Sequence, residues 1–113
     1  MPHRDLKVIE AAENGVLRVN ALLDGPLGRR ILYVIQMRKS AQSVSSNISE
    51  AFGRGEGRER SQYLRIARGE AEETIRHLTS NFHSKRIPPK QYWGLRNLFI
   101  VIAKMLSALI QAK

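Results

Sequence analysis

No cysteine occurs among the 113 residues, which excludes disulfides, thiolate metal sites and thiol catalysis. No uninterrupted apolar run exceeds Leu98–Ala103, too short to cross a bilayer. The first residues do not follow the order of a secretory signal, so a soluble, cytoplasmic protein without a membrane partner is the expectation. Strand alternation, internal repeats and low-complexity segments are all missing from the sequence. Histidine is scarce: His3, His77 and His83. No Glu-x-x-His or His-x-x-x-His spacing exists to build a metal site inside a bundle. Glu73 with His77 supplies two ligands at most and reads better as a hydrogen-bonded pair. The hydroxyls from Ser43 to Ser49 have no activating base at a recognisable spacing. The expectation is therefore a non-enzyme, with no metal and no cofactor.

Acidic residues are also short relative to basic ones. Ten Asp and Glu stand against nineteen Lys and Arg, for a formal charge of +9, and most of the cations are Arg. The planar guanidinium donates two hydrogen bonds at once to phosphate. So basic a small domain favours a polyanionic partner, nucleic acid before an anionic surface. At this length, with 42% hydrophobic residues, the chain is one domain, residues 1–113, large enough for its own core.

The apolar spacing predicts helices over about 6–23, 27–52, 59–83 and 89–112. In the first, Leu6, Ile9, Val16, Leu17 and Asn20 share a face, with Ala12 and Leu23 beside it. Gly15 interrupts this helix at a cost of about 1 kcal/mol relative to Ala. Asp24-Gly25-Pro26 is a turn. Ile31, Val34 and Ile35 lead into the second helix. In the third, Tyr63, Ile66, Ala67, Thr74, Leu78 and Phe82 make the core stripe, and Glu72 with Arg76 forms an i,i+4 pair. Gly69 suggests a neighbour at close range. The fourth helix, after Pro88-Pro89, carries the strongest pattern: Leu95, Leu98, Phe99, Ile102, Met105, Leu106, Leu109 and Ile110. Its stripe is too wide for one seam, which predicts an oligomer. Four helices with short connections give an all-α, up-down-up-down antiparallel four-helix bundle.

Met37 to Gly57 is the most unusual stretch. From Met37 to Phe52 it has neither Pro nor Gly, and Val34, Met37, Ala41, Val44, Ile48, Ala51 and Phe52 mark one helix face. A second stripe, Ser40, Ser43, Asn47, Glu50 and Arg54, is small and polar. Ser and Asn are poor interior helix formers, so this helix must be held by tertiary packing against close neighbours. Gly53, Gly55 and Gly57 then break the chain. No strand precedes these glycines and no Gly-Lys-Ser/Thr follows, so they make a helix-to-helix connection, not a phosphate loop.

The run from Ser43 to Glu73 resembles the signature of the bacterial 23S rRNA intervening-sequence proteins. The matching residues are Ser43, Ser46, Asn47, Ile48, Glu50, Gly53, Arg54, Glu59, Leu64, Ile66, Ala67, Gly69 and Glu73. Ser45 stands where that family usually has Pro, and Ala51 where it usually has Gly; both changes favour helix. A weaker likeness extends to Asp5-Leu6-Lys7-Val8. The resemblance implies a four-helix bundle, a homo-oligomer that is commonly a pentameric ring, and association with ribosomal RNA. The family is also similar to accessory variability proteins of diversity-generating retroelements, which implies a reverse transcriptase as a further partner.

Three basic groups are the candidate nucleic-acid contacts: Arg29 with Arg30, Arg38 with Lys39, and Arg54, Arg58, Arg60, Arg65 and Arg68 running from the glycine corner onto the third helix. Repeated around an oligomer they would add by avidity, gripping RNA or DNA through phosphate with little base reading. Tyr63, Tyr92 and Trp93 read as core or interface residues before base-stacking ones. Asn47, Glu50 and Glu73 read as a polar network between helices that includes Arg38 or Arg54. The competing reading is a protein-interaction module whose basic surface docks an acidic protein.

Overall fold

The structure, a computed structural model, describes residues 1–111. Helices α1 (His3–Asp24), α2 (Val34–Gly53), α3 (Arg58–His83) and α4 (Pro89–Gln111) account for nearly all of it, and there is no strand among the described residues. The expected end of the last helix at Ala112 lies outside the described residues. Cross-helix contacts fix the topology. Arg38, early in α2, reaches Asn20 and Asp24, late in α1. Ser40 meets Thr74, and Arg54 meets Glu59. Thr79 meets Tyr92 while Arg68 meets Ser107. Gly15 of α1 packs on Phe99 of α4. Each neighbouring pair is thus antiparallel, in a rod of 42 × 21 × 19 Å.

The core is aliphatic and layered. Val8, Ala12 and Val19 of α1 meet Met37, Ala41, Val44 and Ile48 of α2, Leu64, Ala67, Ala71 and Leu78 of α3, and Phe99, Ile102 and Leu106 of α4. The α2 and α4 stripes follow the sequence pattern. In α1 the pattern misled: Leu6 is 45% and Leu17 69% exposed, and the buried face is Asp5, Val8, Ala12, Gly15, Val19 and Leu22. Gly15 does not score as hydrophobic and Ala12 scores only weakly, yet these small residues let α4 approach. A Cβ on Gly15 would sit 2.9 Å from the ring tip of Phe99, which is itself fully buried. Close approach therefore belongs to Gly15. Gly69, expected to serve it, has no such neighbour.

On α3, Ile66 is 40% exposed and Leu64 takes the buried place. Arg76 pairs with Glu73, one turn back, and not with Glu72. Helix α4 is long and apolar enough to cross a membrane by length and composition alone. Its Tyr92, Leu95, Phe99, Ile102, Leu106 and Ile110 form one wall of this core. Beside them, Leu98, Met105 and Leu109 are only partly covered and Val101 is exposed.

Helix α2 begins at Val34, about two turns later than the periodicity suggests. Gly28 packs on the end of α1, where a Cβ would collide with the Leu23 carbonyl oxygen. Gly28–Arg30 then forms a single 3-10 turn, and Ile31 continues extended with its side chain buried. Tyr33 adopts a left-handed backbone, φ 64°, before α2 starts. Glycine supplies the opposite corner: Gly57, φ 123°, precedes α3.

Candidate nucleic-acid interface

The charge is unevenly placed along the chain. No Asp or Glu occurs from Gly25 to Ser49, nor from Thr74 to Lys113. Folding gathers much of this acid-free sequence at one end of the rod, where α1 and α3 finish and α2 and α4 begin. Arg29, Arg30, Lys85, Arg86 and Lys90 lie there. The other end holds the glycine corner, the start of α1, and carboxylates interleaved with the arginines.

The acid-poor end is built around Asn81, a side chain with no exposure. Its amide accepts from the Leu32 backbone N–H at 2.7 Å and donates to the Leu32 carbonyl at 3.0 Å and the His77 carbonyl at 2.8 Å. Its backbone carbonyl accepts from the Arg86 backbone N–H at 2.8 Å. One residue thus ties the α1–α2 connection to the α3–α4 connection. Two arginines reinforce it: Arg30 donates to the Lys85 carbonyl and Arg86 to the Arg30 carbonyl, each at 3.0 Å. Lys85 itself has φ 60°. Two non-glycine left-handed residues, Tyr33 and Lys85, are held in these connections, the kind of strain that persists only where surroundings over-determine it.

Next to this clamp is an aromatic cluster. Phe82 and Tyr92 stack with centroids 4.1 Å apart, and Trp93 meets both edge-on at 6.0 and 4.9 Å. Tyr92 is buried, with its hydroxyl 3.0 Å from that of Thr79. Trp93 is 47% exposed, with the Arg96 guanidinium 5.3 Å from its ring centroid. Sequence reasoning grouped Tyr63, Tyr92 and Trp93 as core or interface residues; the fold leaves Trp93 half outside.

At the glycine end, Arg54 donates to Glu50 at 2.7 Å and to Glu59 at 2.7 Å, joining α2 to α3. Its guanidinium lies 5.2 Å from the Tyr63 ring centroid. The Glu50 hydrogen bond, followed by the fields of Tyr63 and Glu59, raises the Arg54 pKa further above its ordinary value. Arg60 lies over the Phe52 ring at 5.2 Å. A cleft of ≈ 410 Å³ opens alongside, lined by Arg4, Arg58, Arg60 and Arg65 with the buried Asp5 among them.

The sequence-selected residues therefore separate. Arg29, Lys39, Arg58 and Arg65 are exposed. Arg38 is bound to Asn20 and Asp24, Arg54 to Glu50 and Glu59, and Arg68 to Ser107. Arg30 serves the clamp. The expected polar network also divides. Glu50 does join the helices through Arg54, whereas Asn47 donates to Ser43 within α2 and Glu73 pairs with Arg76 and His77 within α3. Arg4, Lys85, Arg86, Lys90 and Arg96 entered the picture only with the fold; Lys85-Arg86 is a pair as dense as Arg29-Arg30 and could have been singled out, whereas Arg4, Lys90 and Arg96 stand alone in sequence.

Among the described residues, Arg38, Arg54 and Arg76 are the only Lys or Arg side chains within ion-pair reach of a carboxylate. The same residues contain no group of three or more His, Asp and Glu arranged to hold a metal ion. The arrangement suits electrostatic capture of an anion.

No curated protein matches the sequence. Among solved structures, a protein of unknown function from the S23 ribosomal protein family of Bacteroides thetaiotaomicron superimposes with a TM-score of 0.87. It shares 24% identity over 96% of this chain and 99% of the other. That likeness is one of fold. Residues 4–108 match the family of 23S rRNA-intervening sequence proteins, which spans all four helices, and the chain belongs to that family.

Proposed function

We propose that this protein is a non-enzymatic scaffold that binds nucleic acid through its arginine-rich ends, with ribosomal RNA as the natural polyanion. The carrying observation is the small share of cations neutralised by carboxylates. Unpaired surface cations next to a polyanion release condensed counterions, a gain that is steep in salt and indifferent to sequence. About five phosphate contacts to a single strand would weaken binding about a hundredfold between about 50 and 200 mM salt.

Self-association belongs to the same reading. The outer side of α4 is apolar beyond what the bundle covers, and Ile66 and Gly69 lie open in a groove of ≈ 430 Å³ between α2 and α3. A ring of copies, five by resemblance, would repeat the cationic ends. A reverse transcriptase partner, also implied by resemblance, would use the same charged surface. Genomic neighbourhood separates the two settings: an insertion in a ribosomal RNA gene, or a reverse transcriptase with a template repeat.

The test is a salt titration of RNA and DNA binding by the full chain and by Arg4→Glu/Arg58→Glu/Arg65→Glu. The triple variant spares Arg54, whose guanidinium is occupied. A flat salt response, or undiminished binding by the variant, rejects phosphate capture at the glycine end. Light scattering that returns a monomer mass at micromolar concentration rejects the ring.

A further inference from the structure

The aromatic cluster at the acid-poor end is not needed for phosphate capture, yet it is presented beside cations. Trp93 lies on the solvent side of α4, with Lys90 and Arg96 one turn before and after it. Phe82, stacked on Tyr92, links it to a groove of ≈ 460 Å³ lined by Arg30, Lys85, Ile87 and Pro88. The groove is almost wholly apolar in lining but rimmed by cations, and no Asp or Glu lies in residues 74–113, which supply most of it. Asn81 and the two arginine-to-carbonyl bonds fix the two connections that carry Arg30 and Lys85 before any ligand arrives.

An exposed indole beside cations is suited to one kind of occupant, a flat aromatic ring joined to an anion. A duplex hides its bases, and an acidic chain without aromatic side chains, such as polyglutamate, has no ring to stack. Base stacking on such a platform is worth about 1–3 kcal/mol per base and tolerates any base. We propose that the acid-poor end is a binding site for unpaired nucleotides, with a base stacked on Trp93 and the adjoining phosphates on Lys85 and Lys90. This rests on the nucleic-acid reading above and adds to it a strand type and a contact residue.

Trp93 is the sole tryptophan, so the intrinsic fluorescence of the full chain reports on this one ring. The probes are oligouridylate and oligodeoxythymidylate of about twelve nucleotides, within the length such platforms occupy. A blunt duplex of equal charge and polyglutamate serve as comparisons. Both single strands are expected to quench Trp93 on binding, while the duplex and polyglutamate leave its emission unchanged. Trp93→Ala, at an exposed position, should weaken single-strand binding about tenfold and duplex binding little, measured by anisotropy of labelled strands. Lys85→Glu/Lys90→Glu retains the fluorophore and should lose most of the quenching at a given strand concentration.

Single strands that bind while emission stays constant, with Trp93→Ala unaffected, would overturn this site and leave phosphate capture standing. Equal quenching by the duplex or by polyglutamate would overturn it too. Absence of binding to any nucleic acid at low salt would remove both the site and the reading beneath it.

Discussion

The two ends of the rod solve the same problem, turning the chain between helices, by opposite means. The glycine end uses Gly57 in a backbone that glycine tolerates and leaves the corner open; Gly53, Gly55 and Gly57 have nothing packed over them. The asparagine end uses Tyr33 and Lys85 in left-handed conformations and fixes both connections through one buried residue. Their charges differ in the same sense. Arginine at the glycine end is interleaved with Glu50, Glu56 and Glu59, so part of its density cancels locally. Near the asparagine end Asp24 is taken by Arg38 and Glu73 by Arg76. A dense run of arginines in sequence is thus a poor guide to where positive potential is free; the placement of carboxylates decides it.

The sharpest way to break this comparison is to remove the Asn81 side-chain amide. Asn81→Ala strips both the N–H and the carbonyl of Leu32 of their common partner, while the backbone bond from Arg86 survives. A buried group left unsatisfied costs about 1–3 kcal/mol, so a loss of about 3 kcal/mol is expected in a denaturant titration. Hydrogen exchange should rise at residues 31–33 before it rises elsewhere. At the other end, Arg54→Ala removes surface ion pairs, which contribute little, and should barely move the midpoint. Equal effects at the two ends would mean that the asparagine end is no more rigid than the glycine corner.

A second contrast sets glycine against glycine. Gly15→Ala gains helix propensity, about 1 kcal/mol, but drives a Cβ to 2.9 Å from a fully buried Phe99 ring. Overpacking of this kind costs about 1–3 kcal/mol, so a net loss is expected, relieved when Phe99→Leu is combined with it. Gly69→Ala meets no neighbour and should stabilise the monomer by up to about 1 kcal/mol. If it instead lowers the assembly state seen by light scattering, the α2–α3 groove is a contact between copies.

How far these features could be read in the sequence varies with the physics behind them. The all-helical class, the four elements and the stripes of α2 and α4 follow from apolar periodicity, because Met37, Val44, Ile48, Phe99, Ile102 and Leu106 are large and regularly spaced. The α1 face did not, since Ala12 and Gly15 bury by being small while Leu17 scores high and stays exposed. The late start of α2 depends on a partner 49 residues away, Asn81 bound to Leu32; no local propensity encodes that. For the site, basic composition was legible, and so was the Glu50–Arg54 spacing. Which cations are tied up required the fold: Arg38 finds Asp24 across a helix pair. Trp93 read as core or interface because an aromatic at helical spacing usually is, and its half exposure follows from Tyr92 taking the inward position.

The smallest expected effect concerns the Glu73 carboxylate, which borders the asparagine end. Glu73 accepts from Arg76 and lies 3.0 Å from His77, whose ring in turn faces Tyr33 of the asparagine end. The Arg76 hydrogen bond, opposed by some desolvation and aided by the Arg76 and His77 charges, holds the Glu73 carboxyl below its ordinary value. A carboxyl depressed in the folded state stabilises above its unfolded pKa, and that contribution is lost as pH falls through the folded pKa. The advantage of the parent over Glu73→Gln should therefore be full near neutrality and fade as the solution is acidified through the carboxylate range. It should also be slight, since both side chains of the Glu73–Arg76 pair are substantially solvated. A carboxyl-carbon NMR titration gives the direct reading, with a Glu73 midpoint below that of an unpaired glutamate and an upward return in Arg76→Ala. A midpoint that ignores the Arg76 substitution would show that Arg76 does not hold this carboxylate, and would return its charge to the free cations of the α3 surface.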